Sequence, residues 1–129
     1  MTETALIVGA GNGLSAALAR RFAKEGMQVA LAARHPEKLA ALVAETKARV
    51  FRCYASAPAE VAALFTAFAG ELGEPDIVVY NPSYRARGAI EDLDPEEGRK
   101  AILVTCYGGF LVAQQAARRM LARGRGSLV

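Results

Sequence analysis

Three glycines near the start of the chain, Gly9, Gly11 and Gly13, separate a short apolar run from a helical pattern. The run Ala5–Val8 predicts a buried strand, and a helix is predicted to begin at about Leu14. Backbone N–H groups at such a turn point outward, and the helix dipole favours a negative charge there. The segment therefore predicts a phosphate site. The residues that we expect to form it are Gly9, Gly11, Asn12, Gly13 and Leu14.

The spacing of these glycines fits more than one form of dinucleotide-binding turn. The pattern GxGxxG matches at Gly9 and Gly11 but meets Leu14 at its third position. Read from Gly11, the same pattern is complete, with alanine in its last place. The pattern GxxxGxG matches Gly9 and Gly13 and ends at Ser15, which is small enough for close packing of helix against strand. A glycine-rich turn that binds nothing is the alternative to all three.

A cation stands where the second strand is predicted to end. In NAD-binding proteins an Asp or Glu about twenty residues after the glycines bonds the ribose hydroxyls and repels a 2′-phosphate. Here that place falls near Ala33, and Arg34 follows it. Because a guanidinium binds phosphate as a planar bidentate donor and stacks on adenine, we predict NADP(H) as the cofactor, with NAD as the less favoured one. The alternative is that Arg34 is simply a solvated strand end.

Strands and helices alternate along the rest of the chain. Leu18 and Phe22 continue an apolar stripe that begins at Leu14. The predicted elements are a helix over Leu14–Glu25, a strand over Met27–Ala33, a helix from Pro36, a strand over Arg49–Tyr54, a helix from about Pro58 to Gly73, a strand over Asp76–Tyr80, a loop over Asn81–Asp94, a long helical region over Pro95–Arg123 and a strand from Ser127.

This alternation predicts an α/β fold with a doubly wound parallel sheet of Rossmann type, in the strand order 3-2-1-4 with a fifth strand beside strand 4. The ligand crevice of such a sheet lies between strands 1 and 4 at their carboxyl ends. Gly9–Gly13 and Asn81–Ser83 would both lie there. The interior pair Gly108-Gly109 indicates that a strand or a partner helix approaches the long helix closely.

Composition argues against several other classes of protein. The 129 residues carry a net charge of +3, and the arginines are spread over predicted helices, so we predict no nucleic acid partner. No apolar run approaches the roughly 20 residues that cross a membrane, and we expect no signal peptide, since Met1–Glu3 lead into the first strand without a basic segment. Cys53 and Cys106 match no zinc spacing, so we predict no metal site, reduced thiols and a cytoplasmic location.

The chain resembles the short-chain dehydrogenase/reductase family over its whole length. Four landmarks besides the glycine turn carry the resemblance, and the first is typical of NADP-preferring members. They are Leu31-Ala-Ala-Arg34 followed by Glu37-Lys38-Leu39, Val78-Val79-Tyr80-Asn81-Pro82-Ser83 in place of the family's Asn-Asn-Ala-Gly segment, Val104-Thr105-Cys106-Tyr107-Gly108-Gly109-Phe110, and Gly124–Val129 before the fifth strand.

The resemblance implies roles for residues outside the glycine turn. Asn81 is retained from the family's cofactor segment, and Tyr54 replaces an Asp near the adenine, where a tyrosine could stack or merely pack. Thr105 takes the place of the family's proton-relay Asn, and its hydroxyl could hold a water. Arg85 and Arg87 are expected near the mouth of the crevice, either to meet an anionic substrate or as part of a solvated loop.

The family's hydride transfer between a nicotinamide and an alcohol or carbonyl uses a Tyr, a Lys four residues later and a Ser. No tyrosine of this sequence has a lysine four residues later, and the Ser would come just after Val129. We therefore expect no catalytic residue here beyond Thr105. The expectation is one dinucleotide-binding domain over 1–129, incomplete at its C-terminal end after about four and a half strand–helix units.

The expected function is the NADP(H)-binding portion of an oxidoreductase of this family, with a carbonyl or alcohol substrate only if the missing half exists. The alternative is a non-catalytic dinucleotide-binding or interaction module. An incomplete sheet would leave the helical region Pro95–Arg123 without a partner helix and the fifth strand with an open edge. Because exposed apolar surface and unpaired edges drive association, we predict a homo-oligomer.

Overall fold

Five parallel strands form one sheet in the computed structural model, which describes residues 2–129. They are β1 (Thr4–Val8), β2 (Gln28–Ala33), β3 (Arg49–Arg52), β4 (Ile77–Tyr80) and β5 (Ser127–Leu128). Their order is β3-β2-β1-β4-β5, which confirms the predicted doubly wound α/β fold. β3 is shorter than the predicted strand because its pairing with β2 ends at Arg52.

Helices cover both faces of the sheet. They are α1 (Leu14–Lys24), α2 (Ala40–Thr46), α3 (Pro58–Leu72), α4 (Pro95–Ile102) and α5 (Gly108–Arg123). α2 begins later than predicted, since Pro36–Leu39 form a 3₁₀ turn. The predicted helical region Pro95–Arg123 is continuous, but its hydrogen bonding widens to a π-helical turn over Leu103–Tyr107, where α4 meets α5.

β1 lies at the centre of the sheet with every residue buried. Its last residue, Val8, stands level with Ala32 of β2 on one side and with Tyr80 of β4 on the other. The carboxyl ends of these three strands therefore lie at the same level. The loops that follow them lie at the same edge of the sheet.

Two apolar cores form on the two faces. α1 and α2 pack over Ile7, Leu31 and Val79, whereas α3 and α5 cover the opposite face. In the second core Phe65 and Phe68 are fully buried. The predicted apolar stripe of α3 is confirmed by these contacts.

The predicted inner face of α1 is confirmed at Leu18 and Phe22, which are half-buried against the core, but not at Leu14, which is 62% exposed. The buried positions of α1 are Ser15, Ala16 and Ala19. The glycine turn delivers the start of α1 so close to the sheet that only small side chains fit beneath it. Leu14 stands at the helix end, beyond this contact.

The pair Gly108-Gly109 is explained by a close approach from β4. A Cβ at Gly108 would overlap the Tyr80 hydroxyl and lie 3.0 Å from the carbonyl oxygen of Ala55. A Cβ at Gly109 would touch the same ring at 3.4 Å. The Tyr80 hydroxyl donates to the carbonyl of Val104 within the π-helical turn, so β4 and the helical region are locked together.

At the other end of the sheet, Asp76 joins three segments. Its carboxylate accepts from the Thr4 backbone N–H at 2.9 Å and from Arg123 at 3.0 Å, and it also binds Arg125 at 3.2 Å. Burial opposes ionisation, but the Thr4 hydrogen bond and the two arginines outweigh it and lower the pKa of Asp76. This cluster ties β1, β4 and the end of α5 together far from the carboxyl ends of the strands.

Candidate functional site

A cleft opens at the carboxyl ends of β1, β2 and β4, at the predicted switch point between β1 and β4. Its volume is about 560 Å³. Among the eight residues predicted to bind cofactor, four line it: Gly9, Arg34, Tyr54 and Asn81. The remaining lining residues are Val8, Ala10, Ala32, Ala33, Cys53, Ala55, Ser56, Pro82, Ser83, Tyr84, Lys100 and Val104.

The glycine turn begins with amides that face the sheet. The N–H groups of Gly9 and Ala10 both donate to the carbonyl of Ala32, at 2.9 and 3.2 Å. The expectation that the amides of this turn point outward is therefore wrong for these two residues. Their hydrogen bonds fix the path of the turn against β2.

The start of α1 is where open amides lie. Gly13 is the N-cap residue, and it has no side chain to cap the helix. The first turn of α1 also holds no acidic residue. The backbone N–H groups in the first turn of α1 therefore remain available to a ligand or to water, and the helix N-terminus favours an anion.

The other predicted turn residues are placed outside the lining of the cleft. Gly11 is half-buried, and Asn12, Gly13 and Leu14 are exposed. Gly11, Asn12 and Gly13 form the outer part of the turn, and Leu14 is the first residue of α1. Their contacts with a cofactor stay a prediction.

Gly9 is required for two separate reasons. Its φ of +87° favours glycine, and a Cβ there would lie 2.6 Å from Cγ of Pro82. The proline that replaces an alanine of the family segment thus packs directly on the glycine turn. This contact holds the loop after β4 against the loop after β1.

A hydrogen-bonded chain also joins these two loops. The side-chain amide of Asn81 donates to the Ser15 hydroxyl at 3.0 Å, and that hydroxyl donates to the carbonyl of Gly9 at 3.2 Å. The backbone N–H of Asn81 donates to the carbonyl of Val8 at 2.9 Å. The sequence patterns indicated only that Ser15 is small. Its hydroxyl is a structural link that the spacing of the glycines could not reveal.

Arg34 and Tyr54 form the part of the cleft beyond β2 and β3. Both are exposed, with 42% of Tyr54 open to solvent. Within residues 2–129, Arg34 forms no salt bridge. The Tyr54 backbone is held by an N–H bond to Glu60 at 3.1 Å, so the ring stands at the rim on a fixed backbone.

Thr105 is engaged by the protein itself. Its hydroxyl accepts from the backbone N–H of Tyr84 and donates to the Tyr84 carbonyl, both at 3.2 Å. The threonine therefore pins the loop after β4 to the π-helical turn. Its predicted use as a water-holding group competes with these two bonds.

The loop arginines lie apart from the main cleft. Arg85 and Arg87 line a separate, open hollow of about 510 Å³ together with Thr105 and Cys106. The structure thus places them beside the cleft mouth, across Tyr84, which lines both spaces.

Cys53, which lines the cleft, and Tyr80, the last residue of β4, are both neutral at pH 7. Burial raises the pKa of the Cys53 thiol to about 11, with a smaller contribution from Glu60. Burial likewise raises the pKa of Tyr80 to about 12, and Cys53 adds to the rise. Neither group is a nucleophile or a base in this state.

In the described range 2–129 no helix is long and apolar enough to cross a membrane.

Comparisons with known proteins agree with this geometry. The family model for short chain dehydrogenases matches residues 3–129. D-threitol dehydrogenase of Mycolicibacterium smegmatis is 30% identical over 98% of this chain and 51% of its own length. Versicolorin reductase 1 of Aspergillus parasiticus is 31% identical over 95% of this chain and 49% of its own length.

Solved structures share the fold closely. A short-chain type dehydrogenase/reductase from Mycobacterium marinum has a TM-score of 0.93 and 35% identity, covering 98% of this chain and 53% of its own. A variant of actinorhodin polyketide ketoreductase with NADPH has a TM-score of 0.93 and 30% identity, covering 98% and 51%. The chain spans about half the length of the curated relatives it matches. With the family model matched over nearly all of its residues, the chain belongs to the short-chain dehydrogenase family.

Proposed function

We propose that this chain is the NADP(H)-binding portion of an oxidoreductase that transfers a hydride between the nicotinamide and a carbonyl or alcohol. The observation that carries the choice of cofactor is the charge of the cleft. Arg34 stands in it at the end of β2, and within the described chain none of the lining residues is an Asp or Glu. A 2′-phosphate meets a cation there and no carboxylate among the lining residues.

The residues present fit such a cofactor along the cleft. The open N–H groups at the start of α1 suit the pyrophosphate, as a helix N-terminus favours an anion. Arg34 would bind the 2′-phosphate, and the exposed ring of Tyr54 would stack on the adenine. Asn81 and Pro82 would hold the turn in place. The bound cofactor supplies the hydride, and this part of the chain orients it.

One relative supports this assignment. The actinorhodin polyketide ketoreductase structure, 30% identical to this chain, contains NADPH. Binding by titration tests the proposal directly, with the fluorescence of the reduced nicotinamide as readout. We expect NADPH to bind more tightly than NADH. Absence of binding for both cofactors at millimolar concentration would contradict the cofactor assignment.

The variant Arg34→Asp tests whether Arg34 selects the cofactor through its 2′-phosphate. Arg34→Asp places a carboxylate where NAD-binding proteins carry one, so we expect the preference to turn toward NADH by about tenfold or more. Arg118→Asp, an exposed arginine of α5 outside the cleft, makes the same change of charge and serves as the control. An unchanged preference in Arg34→Asp would show that Arg34 does not select the cofactor.

Catalysis needs residues that are not among these 129. The reading frame downstream of codon 129 distinguishes the oxidoreductase from a non-catalytic dinucleotide-binding module. An in-frame Ser and Tyr-x-x-x-Lys support the enzyme, and a natural stop codon supports the module.

We also propose self-association through α4 and α5, supported by the exposed Ile102, Phe110 and Leu121. A cytoplasmic location stays a prediction, supported by the free thiols of Cys53 and Cys106.

A further inference from the structure

Lys100 brings a second cation to the cleft, and it comes from a different element. Arg34 follows β2, whereas Lys100 belongs to α4, yet both line the same space. The two residues are 66 positions apart in the chain. No local pattern marks Lys100, because it reads as one more charge on the polar face of a helix.

A tyrosine and a glutamate connect the two cations. The Tyr84 hydroxyl donates to Oε2 of Glu97, and Nζ of Lys100 lies 3.6 Å from Oε1 of the same carboxylate. The hydrogen bond to Glu97 raises the pKa of Tyr84, while the charge of Arg34 acts in the opposite direction. Arg34, Tyr84 and Lys100 all line the same cleft.

The pairing of Lys100 with Glu97 is weak. The two side chains are 50% and 40% exposed, and exposed ion pairs of this kind contribute about 1 kcal/mol or less. A phosphate dianion offers Lys100 more negative charge and more acceptor oxygens than one carboxylate does. The ammonium is therefore free to exchange one partner for the other when a phosphate enters the cleft.

We propose that Lys100 is a specificity-determining residue that binds the 2′-phosphate of NADP(H) together with Arg34, and that Glu97 competes with the phosphate for it. The proposal rests on the function proposed above. It adds a contact from α4 to a subsite otherwise formed by the end of β2. It also assigns opposite effects to two residues one helical turn apart.

Two small probes isolate the phosphate. Adenosine 2′,5′-bisphosphate and 5′-AMP differ only by the 2′-phosphate, and neither carries a nicotinamide, so residues outside this chain do not enter the comparison. Calorimetric titration of both probes gives a preference ratio for the unmodified chain and for each variant. The variants are Lys100→Met and Glu97→Gln, with Lys24→Met as the matched control, since Lys24 is exposed at the far end of α1.

We expect Lys100→Met to lower the preference for the bisphosphate by about fivefold, with 5′-AMP binding unchanged. Glu97→Gln should raise the preference, because glutamine still accepts from Tyr84 but no longer attracts Lys100. Lys24→Met should leave both ligands unaffected. Circular dichroism verifies folding. If Lys100→Met fails to fold, Glu97→Gln decides the question.

The outcomes separate the two proposals. If the unmodified chain binds both probes equally, the choice of NADP(H) is wrong and the role of Lys100 falls with it. If the unmodified chain prefers the bisphosphate but neither Lys100→Met nor Glu97→Gln changes that preference, only the role of Lys100 is overturned. If Lys24→Met lowered the preference for the bisphosphate as much as Lys100→Met does, the effect would come from net charge alone. That result would also overturn the role of Lys100.

Discussion

The side-chain amide of Asn81 donates to the hydroxyl of Ser15 at 3.0 Å, across the gap between β4 and α1. Ser15 is only 2% exposed, and its hydroxyl in turn donates a hydrogen bond to the carbonyl of Gly9. The first turn of α1, the glycine turn and the loop after β4 are therefore held as one unit. The shape of the proposed phosphate site therefore depends on this polar link as well as on the glycines.

Ser15→Ala should destabilise the protein without disturbing the apolar core. The change removes the hydrogen bonds that the Ser15 hydroxyl makes with Asn81 and Gly9. Because Asn81 is exposed and its amide can turn to water, we expect a loss of about 1 kcal/mol. Urea denaturation measures the loss. Ser127→Ala, at an exposed position of β5, is the control and should leave the midpoint unchanged. Equal midpoints for both variants would mean that the link does not contribute to stability.

Gly9 and Gly11 should respond differently to alanine. Gly9→Ala combines a positive φ with a clash against Pro82, so we expect a loss of stability of about 2 kcal/mol or more. At Gly11 a Cβ meets no atom within 4 Å, and Gly11→Ala should keep the thermal midpoint while weakening NADPH binding. If Gly11→Ala binds NADPH normally, the predicted cofactor contact at Gly11 is wrong.

Gly108→Ala tests the contact between Tyr80 and α5. The added methyl overlaps the Tyr80 hydroxyl, and overpacking of this kind costs about 1–3 kcal/mol. Gly98→Ala in α4 has open space around it and should be neutral or slightly stabilising. Tyr80→Phe removes the overlapping oxygen, so the double variant should be less destabilised than the sum of the singles. Additive free energies of unfolding would contradict the contact.

Asp76 should give stability a defined dependence on pH. Its pKa is lower in the folded state than in the unfolded chain, where an aspartate titrates near 3.9. The carboxylate therefore stabilises the fold fully above the unfolded value, and the contribution is lost as the pH falls through the folded one. Asp76→Asn should cost about 2 kcal/mol at pH 7, and the difference should narrow below about pH 4. A constant difference from pH 7 to pH 3 would exclude this linkage.

The exposed apolar side chains of the helical region should govern self-association. Phe110 is 57% exposed on α5, and Phe110→Lys should shift sedimentation at a concentration on the order of 10 μM toward the monomer. Ile90, which is 84% exposed and lies outside α4 and α5, provides the control Ile90→Lys. A monomeric unmodified chain would contradict the predicted oligomer, and an equal effect of both variants would place the interface elsewhere.

Some of these features could be predicted without coordinates because they are local. Each of them depends on only a few neighbouring residues. They are the alternation of apolar runs, the breaks at glycine and proline, and the position of Arg34 after the second strand. They were sufficient for the strand order and for four residues of the cleft. Positions that depend on distant partners were less predictable, as the exposure of Leu14 and the use of the Thr105 hydroxyl by the Tyr84 backbone illustrate.

The sequence by itself determined a doubly wound sheet with a glycine-rich turn after β1 and a cation after β2, since periodicity and turn chemistry depend on neighbouring residues. Only the tertiary structure decided that Ser15 joins Asn81 to Gly9, that Tyr80 requires glycine at 108, and that Lys100 enters the same cleft as Arg34. Each of these relationships joins residues brought together by the crossover connections of a parallel sheet, and their separation in the chain leaves no local pattern to detect.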